Sequence, residues 1–192
     1  MEKIALKKPY TFEGKEYTEI DLSGMEKLKV KDMIEVQKAV GAEPSAAILS
    51  GASIAFAMEL AARATGLPKE FFKLLPARAA MEVRTAIMKG MAGEKQEEEK
   101  KIVLEKEAVY EGKKYSEIAF PGAGDICAMD MTNAENKIAE EGFAAPVPTM
   151  NYLYCCLMAA RASGLPVEFF ESLPICEAGK IRNMVQSDSF FE

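Results

Sequence analysis

The chain has 192 residues, of which 49% are hydrophobic and 28% charged, a composition typical of a globular protein. It contains no histidine, which excludes histidine-based acid–base catalysis, Ser-His and Cys-His dyads, and most zinc or iron sites. A net charge of −6 and a pI near 5.0 leave no basic face for phosphates. We therefore expect neither ordinary hydrolase chemistry nor binding to nucleic acid.

The opening residues indicate no secretory signal, because apolar and polar residues alternate there. The most apolar window, residues 46–62, is short, rich in small residues and interrupted by Glu59. A membrane span needs about 20 apolar residues, so we interpret this window as a buried helix. We expect no membrane association.

Four cysteines, Cys127, Cys155, Cys156 and Cys176, all lie in the second half of the chain. A disulfide framework that held a repeated fold together would recur in both halves. We therefore predict reduced core residues of a cytosolic protein, and for the adjacent pair we favour packing over redox chemistry.

The sequence contains an internal repeat that spans most of the chain. The stretch AARATGLPKEFFKLLP, residues 61–76, returns 98 residues later as AARASGLPVEFFESLP, residues 159–174. The same offset aligns the two halves without a gap, and it places Asp32 on Asp130 and Arg84 on Arg182. The period is too long for a solenoid, and each copy is long enough to bury its own core. We predict a first unit over residues 1–93, a charged linker over 94–101, and a second unit over 102–192.

Each unit opens with a predicted β-hairpin. In the first unit, apolar residues alternate with polar ones up to Phe12, Glu13-Gly14 supplies the turn, and residues 17–20 return. The second hairpin follows the same pattern through Leu104, Tyr110, Glu111, Gly112, Tyr115 and Ile118.

A short helix is predicted next, with Asp32 or Asp130 in its first turn, where a carboxylate favours the positive end of the helix dipole. In the second unit Thr132 and Glu135 have the spacing of a capping box, which would allow a start one turn later. The longest helices are predicted over 46–65 and 148–163.

Gly66-Leu67-Pro68 and Gly164-Leu165-Pro166 are expected to end these helices, since glycine adopts the left-handed cap conformation and proline starts the next helix. A short helix over 69–75 and a last helix follow. The last helix carries a stripe of Ala80, Met81, Arg84, Ile87, Met88 and Met91. The predicted fold is α+β and mainly α-helical: two copies of a β-hairpin plus about four helices, packed as a pseudo-dimer.

No catalytic, cofactor or metal motif stands out. Gly122-x-Gly124 indicates a turn, because the remaining residues of a phosphate loop do not follow. Asp125, Asp130 and Glu135 offer oxygen ligands, but their spacing does not fit an EF-hand loop.

Arg63 and Arg161 occupy the same place in the two units, near a helix C-terminus. We favour a cation on the negative end of the helix dipole, with its stem packed on the core, over a ligand-binding role.

Partner binding is predicted to involve aromatic and methionine side chains. The phenylalanine pairs are core or interface anchors, and the methionines form either a core stripe or an adaptable apolar surface for a helical partner. The candidate residues are Phe71, Phe72, Met81, Met88, Met91, Phe169 and Phe170.

These motifs, taken together, resemble the tail assembly chaperones of long-tailed bacteriophages and related contractile injection particles. The residues that carry the resemblance are Ile4, Leu6, Phe12, Gly14, Lys15, Tyr17, Glu19, Ile20, residues 29–33 and 61–72, Leu75 and Pro76, and the second unit repeats most of them.

The resemblance implies a non-enzymatic protein of the bacterial host cytoplasm that binds the tape measure protein, keeps its long helices soluble and helps tail tube polymerisation begin. Family members typically have one unit, so the duplication suggests an ancestral unit that self-associated. The alternative is a structural adaptor or baseplate component that stays in the particle, and an enzyme comes third.

Overall fold

The computed structural model describes residues 3–42, 53–92, 100–143 and 147–191. Their elements follow one another in the same order in both halves: a two-stranded antiparallel sheet, then helices. This agrees with the predicted α+β, mainly helical class. Most of the predicted linker lies outside the described residues, and its last residue, Lys101, belongs to a strand.

Both hairpins turn at the predicted residues. Strands β1 (Lys3–Phe12) and β2 (Lys15–Asp21) are joined by Glu13 and Gly14, whose φ angles of 49° and 77° suit a two-residue turn that follows the strand twist. Strands β3 (Lys101–Tyr110) and β4 (Lys113–Ala119) repeat this geometry at Glu111 and Gly112. Each hairpin has a register irregularity at the same place in its first strand.

Four helices follow each hairpin at corresponding positions among the described residues. In the first unit they are α1 (Val30–Gly41), α2 (Ile54–Thr65), α3 (Lys69–Lys73) and α4 (Ala77–Met91). In the second, α5 (Ala128–Glu140) corresponds to α1. The rest of the second unit consists of α6 (Tyr152–Ser163), α7 (Val167–Ser172) and α8 (Ala178–Val185).

Helix α5 does not start one turn later, the alternative that the spacing of Thr132 and Glu135 had left open. The helix begins at Ala128, because the Cys127 N–H donates to Asp130 Oδ2 at 2.9 Å and caps the helix there. Lys29 N–H and Asp32 Oδ2 form the same bond in the first unit, at 2.8 Å.

The long helices begin later than predicted. Residues 46–52 of the first prediction lie outside the described residues, and Ser53 caps α2 by accepting from the Phe56 N–H. In the second unit, residues Pro148–Met150 form a 3-10 turn and Asn151 caps α6, so the helical start at residue 148 is wrong. Within the described ranges α4, with 15 residues, is the longest helix.

The helix ends follow the predicted mechanism. Gly66 and Gly164 adopt left-handed φ angles of 71° and 74° at the ends of α2 and α6. In each unit the next helix begins directly after a proline.

The last helix differs most between the units. Helix α4 is continuous, whereas α8 is short and lies between two 3-10 turns, Ile175–Glu177 and Asp188–Phe191. The final turn brings Phe190 into the core against Phe120, with ring centroids 5.6 Å apart.

A single hydrophobic cluster runs through both units. Phe56 of α2 and Tyr152 of α6, both buried, stack across the boundary between the units with ring centroids 6.3 Å apart. The two units therefore bury apolar surface against each other. Such burial stabilises the folded chain by about 25 cal/mol per Å² of apolar surface removed from water.

Candidate interaction surfaces

The two arginines singled out in the sequence link neighbouring helices. Arg63 at the end of α2 contacts Asp32 at 3.5 Å and Glu35 at 2.8 Å, and Arg161 at the end of α6 contacts Asp130 at 3.0 Å. The carboxylates of Asp32 and Asp130 also cap α1 and α5, so each arginine links the ends of two helices. The equal spacing of Asp and Arg in the two halves was a signal in the sequence that could have predicted this pair.

The four candidate phenylalanines are anchors of the core. Phe71 and Phe169 are fully buried, and each is surrounded by aromatic rings of its own hairpin. Tyr17 lies 4.8 Å from Phe71, and Tyr115 lies 4.8 Å from Phe169, measured between ring centroids. Phe72 and Phe170 are buried beside them.

The three candidate methionines of α4 differ in solvent exposure. Met91 is buried, Met88 is partly buried against the core, and Met81 is 51% exposed. Of the seven predicted partner-binding residues, Met81 and Met88 are therefore accessible in the folded chain. Whether they bind a partner stays a prediction.

The first unit also has an open cavity of about 380 Å³ beside α4. Leu6, Pro9 and Tyr10 of β1 form one wall, and Pro76 and Ala79 form the other. Lys7, Lys8, Arg78 and Glu82 also line it, and Arg78 Nε lies 3.3 Å from Glu82 Oε1. The cavity places apolar surface and charges of both signs next to helix α4, which carries Met81.

The units meet through backbone and side-chain hydrogen bonds. Val30 N–H donates to Leu173 O at 2.9 Å, and Ile175 N–H donates to Leu28 O at 3.0 Å, like a short piece of antiparallel sheet. The buried Gln37 amide donates to Met150 O and accepts from Tyr152 N–H, at 2.9 and 3.0 Å. Sequence reasoning missed this contact, because Gln37 has no counterpart amide in the second unit to draw attention to it.

The contact between the units is head-to-tail. It joins the α1 side of the first unit to the α6 and α7 side of the second. The reciprocal bonds, from Ala128 to Leu75 and from Ala77 to Ile126, are not formed by the described residues. The packing of the units is therefore asymmetric, unlike a two-fold dimer in which each contact occurs twice.

The four cysteine thiols differ in solvent exposure. Cys155 and Cys156 are buried in α6, Cys176 is partly buried, and Cys127 is exposed at the start of α5. Burial raises the pKa of Cys155 to about 12, so that thiol is protonated at neutral pH. This agrees with the prediction that Cys155 and Cys156 are packing residues of the core and not reactive thiols.

Metal-binding clusters and membrane-spanning helices are absent from the described ranges. No three His, Cys, Asp or Glu side chains there come close enough together to hold a metal ion. Among the same residues, no helix has both the length and the apolar character needed to cross a bilayer.

Comparison with protein families identifies the first unit. Residues 3–89 match the family described as "Phage tail assembly chaperone proteins, E, or 41 or 14". The matched range runs from β1 to the end of α4, so it covers the hairpin, the arginine tie and Met81. A search of curated proteins and a search of solved structures gave no match.

Residues 3–89, the first unit, are therefore similar to the phage tail assembly chaperone family. That similarity indicates a role in the assembly of tails, with partners among tail proteins.

Proposed function

We propose that the protein binds the tape measure protein in the host cytoplasm and keeps its long helices soluble until the tail tube grows around them. The observation that carries this proposal is the family match over residues 3–89. A tape measure must span a tail, so its helices expose apolar faces before they are enclosed. A holding protein has to cover such faces reversibly.

The surface of α4 suits that task. Met81 is 51% exposed and Met88 is partly buried, and both are flexible thioethers that adapt to irregular apolar partners. The second unit has Gly179 and Gln186 at these positions. The first unit therefore offers the better client surface.

Substitution of the exposed methionines tests the proposal. The client is the long helical protein encoded nearest to this chain, and its turbidity on dilution from denaturant is measured with each variant. The wild type is expected to suppress turbidity, and a variant with Met81→Asp and Met88→Asp is expected to lose most of this effect, because charge is costly at an apolar contact.

Val109→Asp is the matched control, since Val109 is 64% exposed on β3 of the second unit. It should behave like the wild type. Equal loss with both variants would argue against a specific surface on α4. Recovery of the chain at fixed stoichiometry from finished particles would instead favour a structural adaptor.

A further inference from the structure

The open cavity between β1 and α4 has a counterpart in the second unit that is filled by a side chain. At the offset of 98 residues, Ala79 of the cavity wall corresponds to Glu177. Glu177 is 1% exposed, and its Oε1 accepts a hydrogen bond from the Glu105 N–H of β3 at 2.7 Å. The second unit therefore shows what the strand binds at this place, which is a carboxylate.

A cation completes the filled site of the second unit. Lys180 Nζ lies 3.0 Å from Glu177 Oε2 and donates to Val103 O at 3.0 Å. Both backbone groups that are bonded in this way belong to the stretch of β3 where its register with β4 shifts, between Val103 and Ala108. Such a shift leaves backbone groups outside the strand ladder, and side chains can then satisfy them.

The first unit has the same strand irregularity without these side chains. The register of β1 with β2 shifts between Ala5 and Tyr10. Ala79 stands in place of the glutamate and Glu82 in place of the lysine. No side chain among the described residues bonds the Lys7 N–H or the Ala5 carbonyl oxygen. The place that the second unit fills from within is here a cavity of about 380 Å³.

The charge of the first unit favours an anionic occupant. The first unit carries 14 basic and 12 acidic side chains, whereas the second carries 7 and 14. At the cavity, Arg78 and Glu82 form an ion pair with each other at 3.3 Å. Lys7 and Lys8 also line the cavity, and neither forms an ion pair within the part of the chain that the structure describes. A carboxylate in the cavity would therefore lie near two ammonium groups without partners.

The apolar walls of the cavity indicate that the occupant is a peptide segment and not a free ion. Leu6, Pro9 and Tyr10 line one side, and Pro76 lines the other. Apolar side chains that flank an acidic residue can be buried against these walls. The volume of the cavity lies within the range of pockets that hold small ligands.

We propose that this cavity binds an acidic peptide segment of a partner protein, with a glutamate or aspartate carboxylate that accepts a hydrogen bond from the Lys7 N–H. This bond reproduces the one between Glu105 and Glu177 in the second unit. An N–H group of the same segment donates to Ala5 O, and the ammonium group of Lys8 adds attraction. The inference goes beyond the proposed holding function, because it concerns recognition of a charged group at β1 and not the apolar surface of α4.

Nuclear magnetic resonance of the full chain tests the proposal without any client. The probe is the blocked peptide acetyl-Ser-Leu-Glu-Leu-Ser-amide, and its control peptide has glutamine in place of glutamate. The glutamate peptide is expected to shift the Lys7 amide proton downfield and to saturate. The glutamine peptide should bind with a dissociation constant about tenfold larger, because it offers no charged acceptor. Sodium acetate at the same concentration should have little effect, since it makes no contact with the apolar walls.

A variant that fills the cavity from within provides the second comparison. Ala79→Glu combined with Glu82→Lys installs the pair formed by Glu177 and Lys180, and it should abolish the shift caused by the glutamate peptide. Val109→Lys adds the same single positive charge at an exposed residue of β3 and should titrate like the wild type. Equal binding of the two peptides would overturn the proposal. So would an equal shift with acetate, or a double variant that binds as well as the wild type.

Discussion

Asp130 links helix capping to pH through its carboxylate. The Cys127 N–H and then Arg161 donate hydrogen bonds to it, and these bonds lower its pKa below the ordinary value of 3.8. Because the folded pKa lies below the unfolded one, this stabilisation is present above the unfolded pKa and is lost as pH falls through the folded pKa.

Asp130→Asn is therefore expected to unfold at lower urea concentration than the wild type at neutral pH. The difference should shrink below about pH 4, where the wild-type carboxyl also becomes neutral. Urea denaturation across a pH series measures it. A difference that stays constant through the acid range would contradict this account of the carboxylate.

Gly24 marks a close approach between a turn and a helix. A Cβ placed there would overlap the carbonyl oxygen of Ala64 near the end of α2, whereas a Cβ on Gly122 would lie 3.1 Å from Ala162 O. Gly24→Ala should cost about 2 kcal/mol of unfolding free energy, because the backbone must shift to relieve the overlap.

Two glycines serve as controls in the same denaturation experiment. Gly122→Ala should cost less than Gly24→Ala, since its neighbour has only to move slightly. Gly41→Ala, in α1 with open space around it, should be neutral or slightly stabilising. Equal losses at Gly24 and Gly41 would show that packing against α2 is not the cause.

Among the elements, α8 and β3 are tied by a buried ion pair found in the second unit. Glu177 Oε1 accepts from the Glu105 N–H at 2.7 Å, and Lys180 Nζ lies 3.0 Å from Glu177 Oε2 while donating to Val103 O at 3.0 Å. Both side chains are at most 7% exposed.

Lys180→Met should destabilise the protein by about 3 kcal/mol, because it leaves the Glu177 carboxylate buried without its cation. Lys114→Met removes one partner of an exposed pair with Glu107 and should have little effect. Thermal unfolding of both variants provides the comparison. A loss at Lys180 no larger than that at Lys114 would contradict the structural role of the buried pair.

The elements that sequence reasoning located were those with local, repeated signals. Glu13-Gly14 and Gly66 determine a turn and a helix end through backbone conformation alone, and their recurrence doubled the signal. The start of α6 was predicted too early. Asn151 caps the N-terminus of this helix by accepting a hydrogen bond from the Tyr154 N–H, and the pattern of apolar residues does not reveal such a bond. Composition could not decide whether Phe71 is buried in the core or exposed at an interface, because cores and interfaces favour the same side chains.

At the scale of the whole molecule, the two halves of the chain pack on one shared core. The shared core and the Gln37 bonds fix the two units head to tail. This arrangement leaves the α4 surface of the first unit accessible, and the proposed holding function assigns the client to it. The relation between the units could not be deduced from the sequence, because identical repeats are compatible with both symmetric and head-to-tail packing.

The central claim is that this chain holds a long helical tail protein in solution. Co-expression with the long helical protein encoded nearest to it, followed by size-exclusion chromatography with light scattering, tests the claim most directly. We expect a partner that precipitates alone to remain soluble and to co-elute with the chain. A partner that still precipitates while the chain elutes by itself would contradict the claim.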